Sequence, residues 1–92
     1  MRVLFTPESI GDLQRLREFI EIKNPQAAQR IAKSIIKGIS QLKTLPLLGV
    51  EVDKAPNPEM VRDLVIGSYI IRYLVGQEIN VLRVWHHKEK RL

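Results

Sequence analysis

Cysteine is absent from the 92-residue chain, which excludes a disulfide framework, a cysteine-rich zinc site and thiol chemistry. Aromatic residues are few, since Phe, Tyr and Trp together make up 5% of the sequence. No apolar run approaches the roughly 20 residues needed to cross a bilayer, and the first residues contain no apolar signal segment. We therefore expect a cytoplasmic protein that forms one small domain over residues 1–92.

Acidic residues are outnumbered, with ten aspartates and glutamates against fifteen lysines and arginines, so the net charge is +5. An excess of this size suits an acidic partner such as nucleic acid or an anionic protein segment, and it equally serves as plain solubility charge. The fractions of 45% apolar and 27% charged residues are typical of a folded domain. Because so short a chain buries only about 60–65% of its unfolded surface, we expect marginal stability without a partner.

Two amphipathic helices are predicted after a short strand at residues 2–5. Thr6 and Asn24 are of residue types that cap helices, and each precedes a proline suited to the first helical position. Asp12 falls on the charged face of the first helix. Since only a residue or two separate the helices, they should form an antiparallel hairpin. The apolar stripes, at steps of three and four, consist of Ile10, Leu13, Leu16 and Ile20 and of Ala28, Ile31, Ile35, Ile39 and Leu42.

Three strands are predicted after a proline-containing loop at residues 50–60. The apolar runs cover residues 61–66, 69–75 and 79–85, and glycine-containing turns separate them. Two tight turns in succession indicate an antiparallel meander. The predicted fold class is therefore α+β, in the order β-α-α-β-β-β, with both helices packed on one face of the sheet.

One arginine lies in each of the three strands of the predicted meander, and arginine is well suited to bind carboxylates or phosphates through two parallel hydrogen bonds. The three are Arg62, Arg72 and Arg83. Strict alternation along the last strand puts Arg83 and Trp85 on the same face as Val81. We expect Arg72 and Arg83 to mark the sheet face away from the helices, as part of a cationic groove or as ordinary exposed charge.

Groups suited to catalysis are few. His86 and His87 are adjacent, so their rings face opposite sides of a strand and do not readily bind one metal ion together. The loop carboxylates are not paired at a fixed spacing, as general acid–base chemistry requires. No glycine-rich phosphate loop or nucleophile motif is present. The sequence therefore predicts no catalytic residue, no metal site and no cofactor.

Five segments that together span nearly the whole chain resemble the RelE/ParE superfamily of toxins from bacterial type II toxin–antitoxin systems. In order, they are LFTPESIGDLQRLREFI, NPQAAQRIAKSIIKGISQL, LPLLG, VRDLVIGSYIIRYLV and INVLRVWHH. The resemblance implies a compact toxin with a helical hairpin on an antiparallel sheet. It also implies a small antitoxin whose acidic or amphipathic tail wraps the toxin, in a heterotetramer or a larger complex.

The resemblance leaves two targets open. RelE-like members cut messenger RNA on the ribosome, whereas ParE-like members inhibit DNA gyrase and are not known as enzymes. RelE-like nucleases carry basic residues on the first two meander strands and after the last one. The corresponding positions here hold Val61, Asp63, Ile70 and Glu89, and an acidic side chain there repels a phosphate. His86 and His87 could still supply proton transfer, and Arg72 and Arg83 some positive charge. These residues keep the nuclease alternative open.

The segments NPQAAQRI and RVWH are more similar to ParE-like members, so we expect a toxin that inhibits gyrase by binding. The alternatives are a RelE-like ribosome-dependent endoribonuclease and an inert member that only binds its antitoxin. The basic end of the chain and the strand arginines form the predicted antitoxin or target surface. Its residues are Arg62, Arg72, Arg83, Trp85, His86, His87, Lys88, Lys90 and Arg91.

Overall fold

A computed structural model describes residues 1–89 as a five-stranded sheet with a helical hairpin packed on one face. A short 3₁₀ turn at Gln41–Lys43 follows the hairpin. The elements are β1 (Val3–Phe5), α1 (Pro7–Lys23), α2 (Pro25–Ser40), β2 (Val50–Glu51), β3 (Val61–Ile66), β4 (Tyr69–Val75) and β5 (Ile79–His86).

Both helices begin as predicted. The Thr6 hydroxyl accepts the backbone N–H of Ser9 at 3.1 Å, and the Asn24 side chain accepts that of Ala27 at 3.0 Å. Asn24 also ends α1, because its N–H donates to the carbonyl of Ile20. One residue thus closes the first helix and caps the second, which confirms the antiparallel hairpin.

The sheet order is β1-β5-β4-β3-β2, with β1 parallel to β5 and every other pair antiparallel. The meander is confirmed: β3 and β4 have the predicted bounds, and β5 extends one residue further, to His86. Gly67, at φ 59°, adopts the left-handed conformation required by the turn between β3 and β4. The prediction of a loop throughout residues 50–60 is wrong at its start, where β2 pairs with β3.

A β-bulge interrupts the last strand. Arg72 pairs with Arg83, but the next residue, Tyr73, pairs with Val81, so Leu82 is an extra residue in β5. Because neighbouring residues of β4 face opposite sides, their partners Arg83 and Val81 also lie on opposite faces. The prediction that they share a face is wrong, since strict alternation ignores the inserted residue.

The core lies between the hairpin and the sheet, and the predicted α+β fold with helices on one sheet face is confirmed. Ile10 is an exception within the predicted stripe, since it is 53% exposed. Within residues 1–89, neither helix is long and apolar enough to cross a membrane. The buried core residues are Leu16, Ile35, Ile39, Leu42, Leu64, Tyr69, Ile71, Tyr73, Ile79, Val81 and Val84.

Candidate docking surface

Arg62 holds a loop in place. Its guanidinium donates to the carbonyls of Gly49 at 2.9 Å, Leu47 at 3.3 Å and Glu59 at 3.1 Å. It also lies 3.7 Å from a carboxylate oxygen of Glu51. Its side chain is only 13% exposed. The sequence suggested that Arg62 is a docking cation, whereas in the structure it anchors the backbone of the loop.

Arg72 is bound by a carboxylate on the neighbouring strand. Two parallel hydrogen bonds, of 2.9 and 3.0 Å, join its guanidinium to Asp63. The same guanidinium lies 5.0 Å from the ring centroid of Trp85, in a cation–π contact. The hydrogen bonds to Asp63 raise the pKa of Arg72, and they outweigh burial, which disfavours the charged form of the guanidinium. Trp85 itself is buried, so little of its ring is available to a partner.

Arg83 pairs with Arg72 on the sheet face away from the helices, as predicted, since the neighbouring pair, Ile71 and Val84, is buried in the core. Its guanidinium nevertheless reaches helix α1. It forms two hydrogen bonds, of 2.8 and 3.0 Å, with the carboxylate of Asp12. Asp12 also accepts the backbone N–H of Val84 at 3.0 Å. The carboxylate therefore occupies the edge of β5 beyond the end of β1, where an N–H would otherwise have no strand partner.

The environment of Asp12 favours its charged form. Burial alone would raise the pKa of its carboxyl group, but the hydrogen bonds from Arg83 and Val84 and the charges of Arg83 and Arg15 lower it below the usual value. Asp12 was not predicted as a buried carboxylate, because its position placed it on the charged face of the first helix. The structure shows Ser9, Asp12 and Leu16 buried at helical steps of three and four, but the polar residue types of Ser9 and Asp12 gave no sign of this in the sequence.

The end of β5 is held against α1 by a second carboxylate. Glu89 accepts a charged hydrogen bond of 2.6 Å from Arg15 and the backbone N–H of His86 at 2.8 Å. The His86 ring nitrogen Nδ1 accepts the N–H of Lys88 at 3.1 Å. The adjacent His87 is stacked on His86, with centroids 4.6 Å apart, so the expectation of rings on opposite sides is wrong: a turn follows the strand at this point.

The surroundings of His86 disfavour its charged form. Burial lowers the pKa of its imidazole, and the nearby His87 and Lys88 lower it further, against an opposing contribution from Glu89. A neutral ring matches its hydrogen bond, because Nδ1 can accept the Lys88 N–H only when it carries no proton.

A cleft runs between the helical hairpin and the ends of β4 and β5. It consists of two adjoining cavities of about 550 and 620 Å³, both lined by Tyr69 and His86. The Tyr69 ring meets His86 edge-on at 5.1 Å, and its hydroxyl has no hydrogen-bond partner among residues 1–89. Arg30 lines one cavity and Lys88 the other, and neither forms an ion pair within those residues.

The cleft has features that suit the binding of an amphipathic polypeptide segment. Its walls are largely apolar, from Leu16, Ile20 and Ile35, while the two cations can meet acidic side chains. In the part of the chain that the structure describes, no three His, Asp or Glu residues come together to hold a metal ion.

The predicted docking residues are only partly brought together. His86, His87 and Lys88 lie at the cleft end of β5, whereas Arg62 lies on β3, next to the terminal strand β2 at the other edge of the sheet. Lys90 and Arg91 fall outside the described residues. The assignment of these residues to an antitoxin or target surface stays a prediction. The sequence analysis did not single out Tyr69 or Arg30, because cleft residues from separate elements share no sequence motif.

A helical hairpin on one face of a five-stranded sheet, with a cleft between them, defines a small α+β protein. The sequence matches the family described as the ParE toxin of the type II toxin–antitoxin system parDE over residues 3–91. The chain therefore belongs to the ParE toxin family, which confirms the superfamily resemblance seen in the sequence. Membership implies a cognate antitoxin partner.

One curated protein and one solved structure are similar to this chain. Toxin RelE1 of Caulobacter vibrioides is 29% identical over 90 residues, which cover 97% of this chain and 96% of that protein. A solved structure of the chromosomal ParDE toxin–antitoxin system from P. aeruginosa superposes with a TM-score of 0.77 at 21% identity, covering 94% of this chain and 95% of that one. At that identity the structural likeness shows the fold.

Proposed function

We propose that this type II toxin inhibits DNA gyrase by binding it while DNA is cleaved, so that broken DNA ends persist. The observation that carries the proposal is the commitment of the strand arginines to partners within the chain. Asp63 binds Arg72, Asp12 binds Arg83, and backbone carbonyls bind Arg62. A protein that acts by docking does not need these cations to be available for a phosphate.

Cleavage of RNA places different demands on a site. A base must take the proton of the 2′-hydroxyl, cations must stabilise the negative charge that develops on the phosphate, and an acid must protonate the leaving oxygen. An RNA phosphate that approached Arg72 would have to displace Asp63, whose carboxylate lies 2.9 Å from the guanidinium. Repulsion by that carboxylate supports the gyrase proposal over the nuclease.

The antitoxin is expected to neutralise the toxin from the cleft between the hairpin and the sheet. An amphipathic segment would place apolar side chains against Leu16 and Ile35 and acidic ones near Arg30 and Lys88. The excess of five positive charges on the chain favours encounter with an acidic partner.

A ribosome-dependent endoribonuclease is the second candidate, and two observations favour it. The relative from Caulobacter vibrioides carries the name RelE1, and His86 lies beside Tyr69 in a cleft that also contains Arg30. A histidine, a phenol and a cation are groups that can take part in proton transfer and charge stabilisation. An inert member that only binds its antitoxin is the third candidate.

Controlled expression of the toxin without its antitoxin separates the three candidates. The gyrase proposal predicts growth arrest with induction of a DNA-damage reporter, and primer extension that shows no new cuts in translated messages. Cuts at the ribosomal A site without DNA damage would replace the proposal with the nuclease. Normal growth, with the folded protein present in the cells, would favour the inert member. Co-expression of the antitoxin is the control, and it should abolish either form of toxicity.

A further inference from the structure

The segment from residue 45 to residue 50, here called the leucine loop, presents four apolar side chains to solvent. Their exposed fractions are 54% for Leu45, 58% for Leu47, 44% for Leu48 and 64% for Val50. Four exposed apolar side chains form a patch on the order of a few hundred Å², the size at which patches on monomers are often functional. The loop ends at Val50, the first residue of β2, and β2 is the terminal strand at one edge of the sheet.

The backbone of the leucine loop is fixed from behind. The hydroxyl of Tyr73 donates to the carbonyl of Pro46 at 2.9 Å and accepts the N–H of Gly49 at 2.8 Å. Arg62 donates to the carbonyls of Leu47 and Gly49. A side chain at position 49 would meet Tyr73 and the β3 backbone within 2.9 Å. The leucines are therefore displayed on a preorganised backbone, which lowers the entropy cost of docking.

The charge around the loop is balanced, unlike that of the whole chain. Residues 43–63 contain three basic and four acidic side chains, whereas the full sequence has a net charge of +5. A surface selected for DNA or for a strongly acidic protein would carry an excess of cations. Two copies of a chain with this charge repel each other over most of their surface, but they can meet at a region that is close to neutral.

Strand β2 adds a geometric reason for self-association. It pairs with β3 on one side and is the terminal strand of the sheet on the other. A terminal strand that pairs antiparallel with its own copy generates a two-fold axis, so the contact closes as a dimer and does not propagate. Apolar side chains from both leucine loops would then be covered together.

We propose that the leucine loop and the outer edge of β2 form an interface between two copies of this chain. The surface is smaller than the about 800 Å² per partner of a standard stable interface. The dimer is therefore weak and depends on concentration. This contact is separate from the cleft, so it leaves the cleft open to the antitoxin.

Sedimentation equilibrium of the full chain, purified away from its antitoxin, tests the interface. The average mass should rise from one copy towards two as the concentration increases. The dimer fraction should also rise with added salt, because salt screens the repulsion between the two positively charged copies. Leu47→Lys and Val50→Lys should each weaken dimerisation at least tenfold. The matched control is Ile22→Lys, since Ile22 is 86% exposed on α1, and it should leave the dimer unchanged.

Three results would overturn the proposal. The first is a single-copy mass at every concentration, and the second is unchanged dimerisation in both lysine variants with native circular dichroism. The third is a combined result: the wild-type toxin never dimerises, and the lysine variants bind the antitoxin more weakly. That result would assign the loop to the antitoxin. Val50→Lys keeps the test decisive if Leu47→Lys does not fold, because the Val50 side chain is the more exposed of the two.

Discussion

At the residue scale, Asp12 is a buried carboxylate that joins helix α1 to the outer edge of β5. Replacing it with alanine removes the acceptor of the Val84 N–H, a buried hydrogen bond of 3.0 Å. A buried donor without a partner costs about 2 kcal/mol, so Asp12→Ala should lower the free energy of unfolding by about that amount. Urea denaturation measures the difference. Glu18→Ala, at an exposed position of the same helix, is the control and should change stability by less than about 0.5 kcal/mol.

The contribution of Asp12 should depend on pH in a definite direction. The pKa of Asp12 is lower in the folded protein than its ordinary value of 3.8, so the unfolded chain takes up a proton first as the pH falls. The charge contribution is therefore complete above about pH 5 and is lost as the pH falls through the folded pKa. The stability difference between wild type and Asp12→Ala should shrink at pH 3. A difference that stays constant from pH 7 to pH 3 would contradict this assignment.

His86 should make stability depend on pH in a higher range. Its pKa is lower in the folded protein than the ordinary value of 6.5, first because of burial and then because of His87 and Lys88. The unfolded chain binds a proton more readily, so stability is lost as the pH falls below about 6.5. Between pH 7.5 and pH 5.5, thermal melts of His86→Gln should show a smaller loss than wild type. His87→Gln removes one contribution to the shift and leaves burial and Lys88 in place, so its loss should lie between those of wild type and His86→Gln. Equal losses in all three proteins would exclude this role for His86.

The pairing of Asp12 with Arg83 shows why the candidate site was only partly predictable. The two residues are 71 positions apart, and no local pattern links a helix carboxylate to a strand arginine. The sequence left Arg83 open between a carboxylate- or phosphate-binding cation and ordinary exposed charge, since arginine suits both. It could not show that the anion belongs to the same chain.

At the element scale, the helices and the meander were predictable because their signals are local. Thr6 and Asn24 cap the helices through side-chain acceptors within three residues. Gly67 permits the left-handed turn that joins two runs of apolar residues. Each signal depends on neighbouring residues alone, so a single sequence contains it.

The bulge in β5 and strand β2 were not predictable, because both depend on a partner strand. The extra residue, Leu82, exists only relative to the register of β4. Strand β2 has two residues and is formed by pairing with β3. A run this short has no periodicity of its own, and the neighbouring prolines favoured a loop.

The attachment of the leucine loop to the sheet can be tested with two tyrosines. Tyr73→Phe removes the acceptor of the Gly49 N–H and the donor to Pro46, so it should cost about 2 kcal/mol of stability. Tyr69→Phe is the matched control, because the Tyr69 hydroxyl has no partner among residues 1–89, and it should cost less than about 0.5 kcal/mol. Chemical denaturation of both variants gives the comparison, and equal effects would show that the hydroxyl of Tyr73 does not anchor the loop.

At the scale of the whole molecule, the positive charge is expected to help the toxin reach its target. Replacing Lys88, Lys90 and Arg91 with alanine should weaken growth inhibition and leave the fold intact, because charged contacts with gyrase or DNA speed encounter in a salt-dependent way. The control removes the same charge elsewhere, at the exposed residues Lys33, Lys37 and Lys43. Full toxicity of the first variant, with normal circular dichroism, would show that the basic end is only solvated charge.

The most direct test of the proposed function is the amount of cleaved DNA that gyrase retains in the presence of the toxin. Purified toxin is incubated with gyrase, ATP and supercoiled plasmid, and denaturation of the enzyme then releases any broken DNA as linear plasmid. The proposal predicts that linear DNA increases with toxin concentration and returns to the background level when antitoxin is added. Background levels of linear DNA at saturating toxin, together with cleavage of ribosome-bound messenger RNA by the same preparation, would contradict it.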